Sequence, residues 1–282
     1  MNLTNRLNLP DGLVRAVMND PYNRGECDFT ATGLLKPPRQ AALMKQHEHE
    51  ISEDVSDRIW ALLGQAAHGI VERANKTELV EKRFFAKFGD YTVSAQIDSL
   101  DLNGGILSDY KVTTMYKAKK GEPDADFTAQ LNIQAEILRE NGHTVNELRI
   151  IAILRDWSKP KAAGDENLPQ SNVAVLNIPL WSREKTQSFI KMRISMHVAA
   201  EKELPECSDE DRWAKPSTYA VVKGKRAING GVQFSLDAAE KICAENPGTR
   251  VEYRKGESTR CQMYCACANF CDQFKREMAR ED

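Results

Sequence analysis

No stretch of this chain approaches the roughly 20 consecutive apolar residues that a helix needs to cross a bilayer, so no membrane span is expected. The opening run MNLTNRLNLPDG has no apolar core behind basic residues, so no secretory signal is expected either. Charge of one sign is also missing. Lys and Arg number 39 against 41 Asp and Glu, a formal net charge of -2. That balance excludes a nucleic-acid coating protein held by global charge and leaves the role to local basic patches. Internal repeats and low-complexity tracts are lacking. Seven cysteines without a secretory signal suit reduced thiols or a metal site, not a disulfide framework. The expected location is the cytoplasm.

What is present is an α/β pattern. Residues 1–50 hold turn signals (PDG, DPYNRG, KPPR) between short helical pieces. A helix is expected over 52–74, with Ser52 as its cap and Val55, Ile59, Leu62, Leu63, Ala66, Ala67 and Ile70 as an apolar stripe. The period then shortens. Residues 79–88, 91–101 and 105–113 read as three strands separated by Gly-Asp and Asn-Gly-Gly turns. A helix over 125–141 stops at Gly142, and the apolar run 147–155 reads as a buried strand. A loop (156–172), a strand (173–179) and an amphipathic helix (182–203) follow. The expected organisation is an N-terminal segment over 1–50 packing on a core, that core over 51–204, and a region over 205–282 with a small α/β insert at 217–256.

Asp98 falls in the second of the three strands and Asp109 in the third, so a short antiparallel turn brings the two carboxylates together. Facing carboxylates repel unless a cation lies between them, and hard oxygen ligands suit Mg2+ or Mn2+. Lys111, two residues after Asp109, shares its strand face and can orient water or stabilise developing negative charge. The Tyr110 carbonyl offers one more oxygen ligand. A D-x-K in a strand is by itself most often a surface ion pair.

The surroundings of this one are specific. Gly64 and His68 form G-x-x-x-H on the first helix, QIDSLD carries Asp98, SDYKVTT carries Asp109 and Lys111, and AQLNIQAEIL carries Gln130. In order and spacing these resemble the RecB-like branch of the PD-(D/E)XK nucleases, over about residues 28–155. The resemblance implies a restriction-endonuclease-like α/β core, a central mixed sheet flanked by helices. It implies a Mg2+- or Mn2+-dependent deoxyribonuclease, an exonuclease of phage DNA recombination or processing. DNA is then the partner, with a recombination or single-strand-binding protein as a further one. The alternative is a catalytically inactive nucleic-acid-binding or assembly module of the same fold. His68, Asp98, Asp109 and Tyr110 would hold the metal, and Gln130 would contact DNA or position a catalytic group. Glu81 is a further carboxylate for the site or a solvated strand end. Arg39 is a phosphate contact or an ordinary surface arginine. Two positions depart from the family pattern: Gln134 replaces its tyrosine and Ala95 its glycine.

Cys261, Cys265, Cys267 and Cys271 fall within the run RCQMYCACANFC, a spacing that points to a thiolate-bound zinc or iron–sulfur site. The C-x3-C-x5-C spacing is similar to the C-terminal cysteine group of AddB-type and CRISPR-adaptation nucleases. That resemblance implies a structural [4Fe–4S] cluster, with zinc as the alternative. Cys207, Cys27 and Cys267 compete for fourth ligand beside Cys261, Cys265 and Cys271, and phage nucleases with a similar ending favour Cys207. Cys243 reads as a small buried side chain. Lys117, Lys119 and Lys120, then Arg155, Lys159 and Lys161, and Lys223, Lys225 and Arg226 are solvated charges or phosphate contacts. Trp60, Trp181 and Trp213 read as packing residues, and Trp157 stays open as a stacking platform.

Overall fold

The computed structural model describes residues 2–20, 22–74, 79–119 and 123–279; Lys120 lies outside them. The chain is mixed α/β and forms two compact units, one from residues 1–41 and 52–203, the other from 42–51 and 204–282. Among the described residues no helix is long and apolar enough to cross a membrane.

The first unit contains β1 (Asn2–Thr4), α1 (Asp11–Met18), β2 (Phe29–Thr30), α2 (Ala31–Leu35), the start of α3 (Pro38–Gln46), β3 (Ser52–Asp54), α4 (Ile59–Ala74), β4 (Leu79–Phe88), β5 (Tyr91–Asp101), β6 (Ile106–Thr113), α5 (Ala125–Glu140), β7 (Glu147–Leu154), α6 (Lys159–Gly164), β8 (Val173–Ile178) and α7 (Arg183–Lys202). Its sheet runs β2-β5-β6-β7-β8, with β4 along the other side of β5. The pairing is mixed: β6 and β7 are parallel, while β4–β5, β5–β6 and β7–β8 are antiparallel. One edge of β5 is shared. Phe29 and Thr30 of β2 pair near its start and Ile106–Ser108 of β6 near its end, which leaves residues 95–98 of that edge outside both ladders.

α5 explains how the sheet is covered. Asp124 caps it by accepting from the Asp126 and Phe127 N–H groups, and Gly142, at φ 83, lets the chain turn away after it. Leu131, Ala135 and Leu138 pack with Ile97, Leu107, Leu148 and Ile150 of the sheet. Ile133 and Ile137 pack with Val93 and Ala95 and with Ile190 and Ile194 of α7. A helix apolar on two sides lies between layers, and truncating Leu131 or Ile133 to Ala should cost about 2–5 kcal/mol. The buried Asn132 is fully used: its amide donates to the Thr128 and Pro179 carbonyls and its oxygen accepts from the Trp181 N–H.

Five sequence expectations need correction. The helix expected over 52–74 begins at Ile59. Residues Ser52–Asp54 instead pair parallel with Asn2–Thr4, and a 3-10 turn at Val55–Arg58 follows. The cause is Asp54, whose carboxylate accepts from Thr4 Oγ1, the Arg6 N–H and Ser56. Leu63, Ala66 and Ile70, expected in a buried stripe, are exposed, as are Trp60 and Trp213. Arg39 is not on the surface: only 3% of it is exposed. The loop expected over 156–172 carries α6. Trp157 is partly buried, its indole N–H donating to the Pro169 carbonyl.

The second unit takes residues 42–51 from the segment expected to pack on the core as a whole. Leu43 and Ile51 cluster with Cys267 and Cys271, against Phe270 and Phe274. Its small α/β part is a three-stranded antiparallel sheet ordered β10 (Arg226–Gln233), β9 (Thr218–Lys223), β11 (Arg250–Arg254), with a helix (Leu236–Glu245) between β10 and β11 in the chain. Cys243, on that helix, is half-buried beside Thr249.

Candidate metal centre

The register of the sheet aligns three carboxylates. β4 and β5 pair outward from the Gly89-Asp90 turn, Phe88 opposite Tyr91, and the same register sets Glu81 opposite Asp98. β5 and β6 pair at Asp101–Ile106, Leu100–Leu107 and Ser99–Ser108, and the next step sets Asp98 opposite Asp109. The β4–β5 ladder skips this step and the β5–β6 ladder ends just before it. There the Asp98 carboxylate takes the place of a strand partner, its Oδ2 accepting the Tyr110 N–H at 2.6 Å. Glu81 adopts a left-handed backbone, φ 50, which costs a non-glycine residue about 1–2 kcal/mol.

α4 packs on β6 and carries His68 to this row. Its Nδ1 lies 3.0 Å from Glu81 Oε1 and 3.5 Å from Asp98 Oδ1, and its Nε2 lies 3.0 Å from the Tyr110 carbonyl. Both ring nitrogens thus face acceptors, which only the doubly protonated imidazolium satisfies. The hydrogen bond to Glu81, then the charges of Asp98, Glu81 and Asp109, outweigh partial burial and raise the His68 pKa to about 8. Burial, then the charge of Asp109, pushes the Asp98 carboxyl up to about 7. Burial would raise Glu81, but hydrogen bonds from His68 and Gln96 hold it below the ordinary glutamate value. Gln96 is fixed in turn by the Arg83 guanidinium at 2.8 Å.

On the other side of the gap Asp109 is 1% exposed. Its Oδ1 accepts from Lys111 Nζ at 2.9 Å and from Gln130 Nε2 of α5 at 2.8 Å. Its Oδ2, 2.7 Å from the same ammonium, accepts no well-directed hydrogen bond although it is fully buried. Burial acts to lower the Lys111 pKa, but the charges of Asp109 and Asp98 more than offset it, so the ammonium is held above its usual value. Gln134 is buried and donates to the Gln96 carbonyl. It supports the strand of Asp98.

His68, Glu81 and Asp98 each offer a ligand atom within 4.8 Å of one another, a fit for a divalent cation. Of the sequence-expected ligands, His68, Asp98 and the Tyr110 carbonyl meet here, while Asp109 is engaged by Lys111 and Gln130. Glu81, left open in the sequence, is the member that completes the group. Replacing Glu81 with Gln should weaken Mn2+ binding by at least about 10–100-fold, the range already seen when a group that only supports a metal ligand is changed. Isothermal titration with Mn2+ checks this, and an unchanged affinity would remove Glu81 from the site.

The basic groups nearby are less available than the sequence suggests. Lys117 pairs with Asp124 and Lys119 with Asp165.

In the second unit, Gln273 clips the Cys207 backbone, accepting its N–H at 2.8 Å and donating to its carbonyl at 2.9 Å. Burial and the neighbouring Cys265 and Cys271 push the Cys261 thiol up to about 11. A hydrogen bond from Cys267, sulfurs 3.5 Å apart, draws Cys265 down to about 6 and leaves Cys267 far above its usual value. Cys27 lies in the first unit, its sulfur 3.2 Å from Ser94 Oγ.

No protein-family model and no curated protein matches the chain. Among solved structures, that of SSO0001 is similar at 16% identity and a TM-score of 0.45, over 65% of this chain and 84% of that one.

Proposed function

We propose that this chain is a divalent-metal-dependent deoxyribonuclease with a PD-(D/E)XK core, using His68, Glu81, Asp98, Asp109, Tyr110, Lys111 and Gln130. The observation that carries the proposal is the carboxylate row Glu81, Asp98 and Asp109 at one step of three adjacent strands, with Lys111 beside its end. A row of acids in a sheet is unstable unless cations neutralise it. The oxygen-rich donor set around Asp98 suits Mg2+ or Mn2+.

When bound, such a cation supplies charge neutralisation at the phosphodiester and a more acidic water. The protein supplies the rest. Asp98 and Glu81 would hold the cation, with His68 as a third ligand in its neutral form. Lys111, steered by both Asp109 oxygens, places its ammonium where negative charge develops on the attacked phosphate. Gln130 fixes Asp109 so that this lysine does not drift. By its motif resemblance the chain acts as an exonuclease in phage DNA recombination or processing. The test is incubation with end-labelled linear and with circular DNA in Mn2+, Mg2+ or EDTA. Metal-dependent release of nucleotides from linear DNA is expected. Intact DNA in both metals would sink the proposal.

The cysteine site belongs to the same proposal, with Cys207, Cys261, Cys265 and Cys271 holding a structural [4Fe–4S] cluster. Its support is the closeness of Cys265 and Cys271 to Cys261, whose thiol they help to push up, as thiols gathered for a shared metal centre would. Anaerobically purified protein should be brown and contain iron and sulfide. Cys271→Ser should lose both and become protease-sensitive over residues 259–279. Stoichiometric zinc without iron would replace the cluster by the zinc alternative.

A further inference from the structure

The sequence reads Trp60 as a packing residue, yet 58% of it is exposed on α4, the helix that carries His68. Exposed tryptophan is uncommon, because water recovers little of what burial would gain. This ring is also organised: the Arg155 guanidinium stands 4.1 Å from its centroid. Arg155 follows β7 directly, and its N–H donates to the Thr113 carbonyl at the end of β6. One residue on, the Asp156 carboxylate accepts the Met115 N–H at 2.8 Å. Met115 is buried, and its neighbour Tyr116 is 81% exposed. One ring contact joins Trp60 to Arg155, and two hydrogen bonds set Arg155 and the segment that bears the exposed Tyr116 side by side in a rim at the carboxyl ends of β6 and β7.

The rim is close to the metal centre. Trp60 precedes His68 by eight residues, about 12 Å along the helix axis. Arg155 lies three residues beyond Ala152, the β7 partner of Lys111, or about 10 Å along the strand. Each is about the length of three stacked nucleotides.

We propose that Trp60, Arg155 and Tyr116 form a stacking platform for unpaired bases, which holds single-stranded DNA as it enters or leaves the metal centre. This rests on the proposed nuclease function. The rim fits an unpaired strand better than a duplex. Aromatic faces grip bases only when those are unstacked, whereas duplex binding needs several free cations for phosphates. Here Lys117 and Lys119 are each engaged by a carboxylate, while Arg155 lies flat on a ring. These are positioning residues; none is placed at the reacting atoms.

The test uses full-length protein and an oligothymidine, intact or with one abasic residue moved stepwise along it. Affinity is measured by anisotropy in Ca2+ and cleavage in Mn2+. Trp60→Ala should weaken binding of the intact strand on the order of 10-fold, the size of one lost base stack, and raise KM more than it lowers kcat. Trp60→Phe should restore most of the loss. In wild type one abasic position should cost a similar factor, and that penalty should vanish in Trp60→Ala. The ring is exposed, so folding is not at risk, and circular dichroism confirms it. Equal affinity of wild type and Trp60→Ala, or a uniform response to the abasic position, would overturn the platform. So would a change in self-association with DNA affinity unaltered, which would assign the ring to a second copy of the chain. Asp109→Ala separates the two proposals. If it cleaves like wild type while Trp60 still governs binding, the nuclease assignment fails and the platform stands. If it is inactive while Trp60→Ala behaves as wild type, only the platform fails.

Discussion

Lys111→Ala is expected to slow DNA cleavage at saturating Mn2+ by about 1000-fold while leaving DNA affinity within a few-fold of wild type. The factor is that of a positive group aimed at charge that develops only in the transition state, whose removal costs about 10^2–10^3 and more where water is excluded. Lys111 fits that description. Its ammonium contacts both oxygens of a buried aspartate, and the neighbouring acids hold it protonated. Asp109→Ala should be at least as damaging, but it also strands the Gln130 amide and the ammonium, an unsatisfied pair worth about 1–3 kcal/mol of stability. Asp109→Asn is the cleaner variant, since its oxygen still accepts from Gln130. Lys111→Arg should not rescue, because the larger guanidinium would pair with the carboxylate through its fork and spread its charge away from the point that the compact ammonium occupies. Single-turnover rates check this. Degradation by Lys111→Ala at the wild-type rate would defeat the assignment of the site.

Much of this site is legible in the sequence because its geometry is local. Strands β4 to β6 announce themselves by alternation and by tight turns, and D-x-K falls out of a period of two. Glu81 was legible too. Counting back from the Gly89-Asp90 turn sets it opposite Asp98, a step that needs only the hairpin register. What the sequence hides depends on distant partners. Ser52 looks like a helix cap, but the carboxylate of Asp54 is committed to Thr4 and Arg6, about fifty residues away, and that pairing extends Ser52–Asp54 into a strand. Residues 42–51 carry no mark of joining the cysteines of the second unit; only Leu43 and Ile51 packed on Cys267 and Cys271 reveal it. The exposure of Trp60 is likewise set by what stands above the helix, not by its own residues. Apolar periodicity predicts which side chains share a face and says nothing about whether that face is covered.

Asp98→Asn should abolish cleavage and, in EDTA at pH 8, make the protein more stable by about 1–3 kcal/mol. The sign follows from the carboxyl being raised from 3.8 to about 7 by burial and by Asp109. A carboxyl whose folded pKa lies above its unfolded one favours the fold while protonated. That contribution is complete below about pH 4 and is lost as pH rises through 7. Asparagine mimics the protonated form at every pH and keeps an oxygen for the Tyr110 N–H. The advantage of the variant should therefore be absent near pH 4 and largest at pH 8, reduced somewhat because His68 loses one of the charges that hold its proton. Mn2+ should reverse the order. Wild type gains about 2.7 kcal/mol at a metal concentration 100 times its Kd, whereas the variant, short of one anionic ligand, gains far less. Denaturant melts at pH 4 and 8, each with EDTA and with Mn2+, give the four values required. Identical wild-type and variant stabilities in EDTA at pH 8 would mean that the folded chain tolerates the ionised row without a cation. The repulsion argument for a metal between these strands would then fail with it.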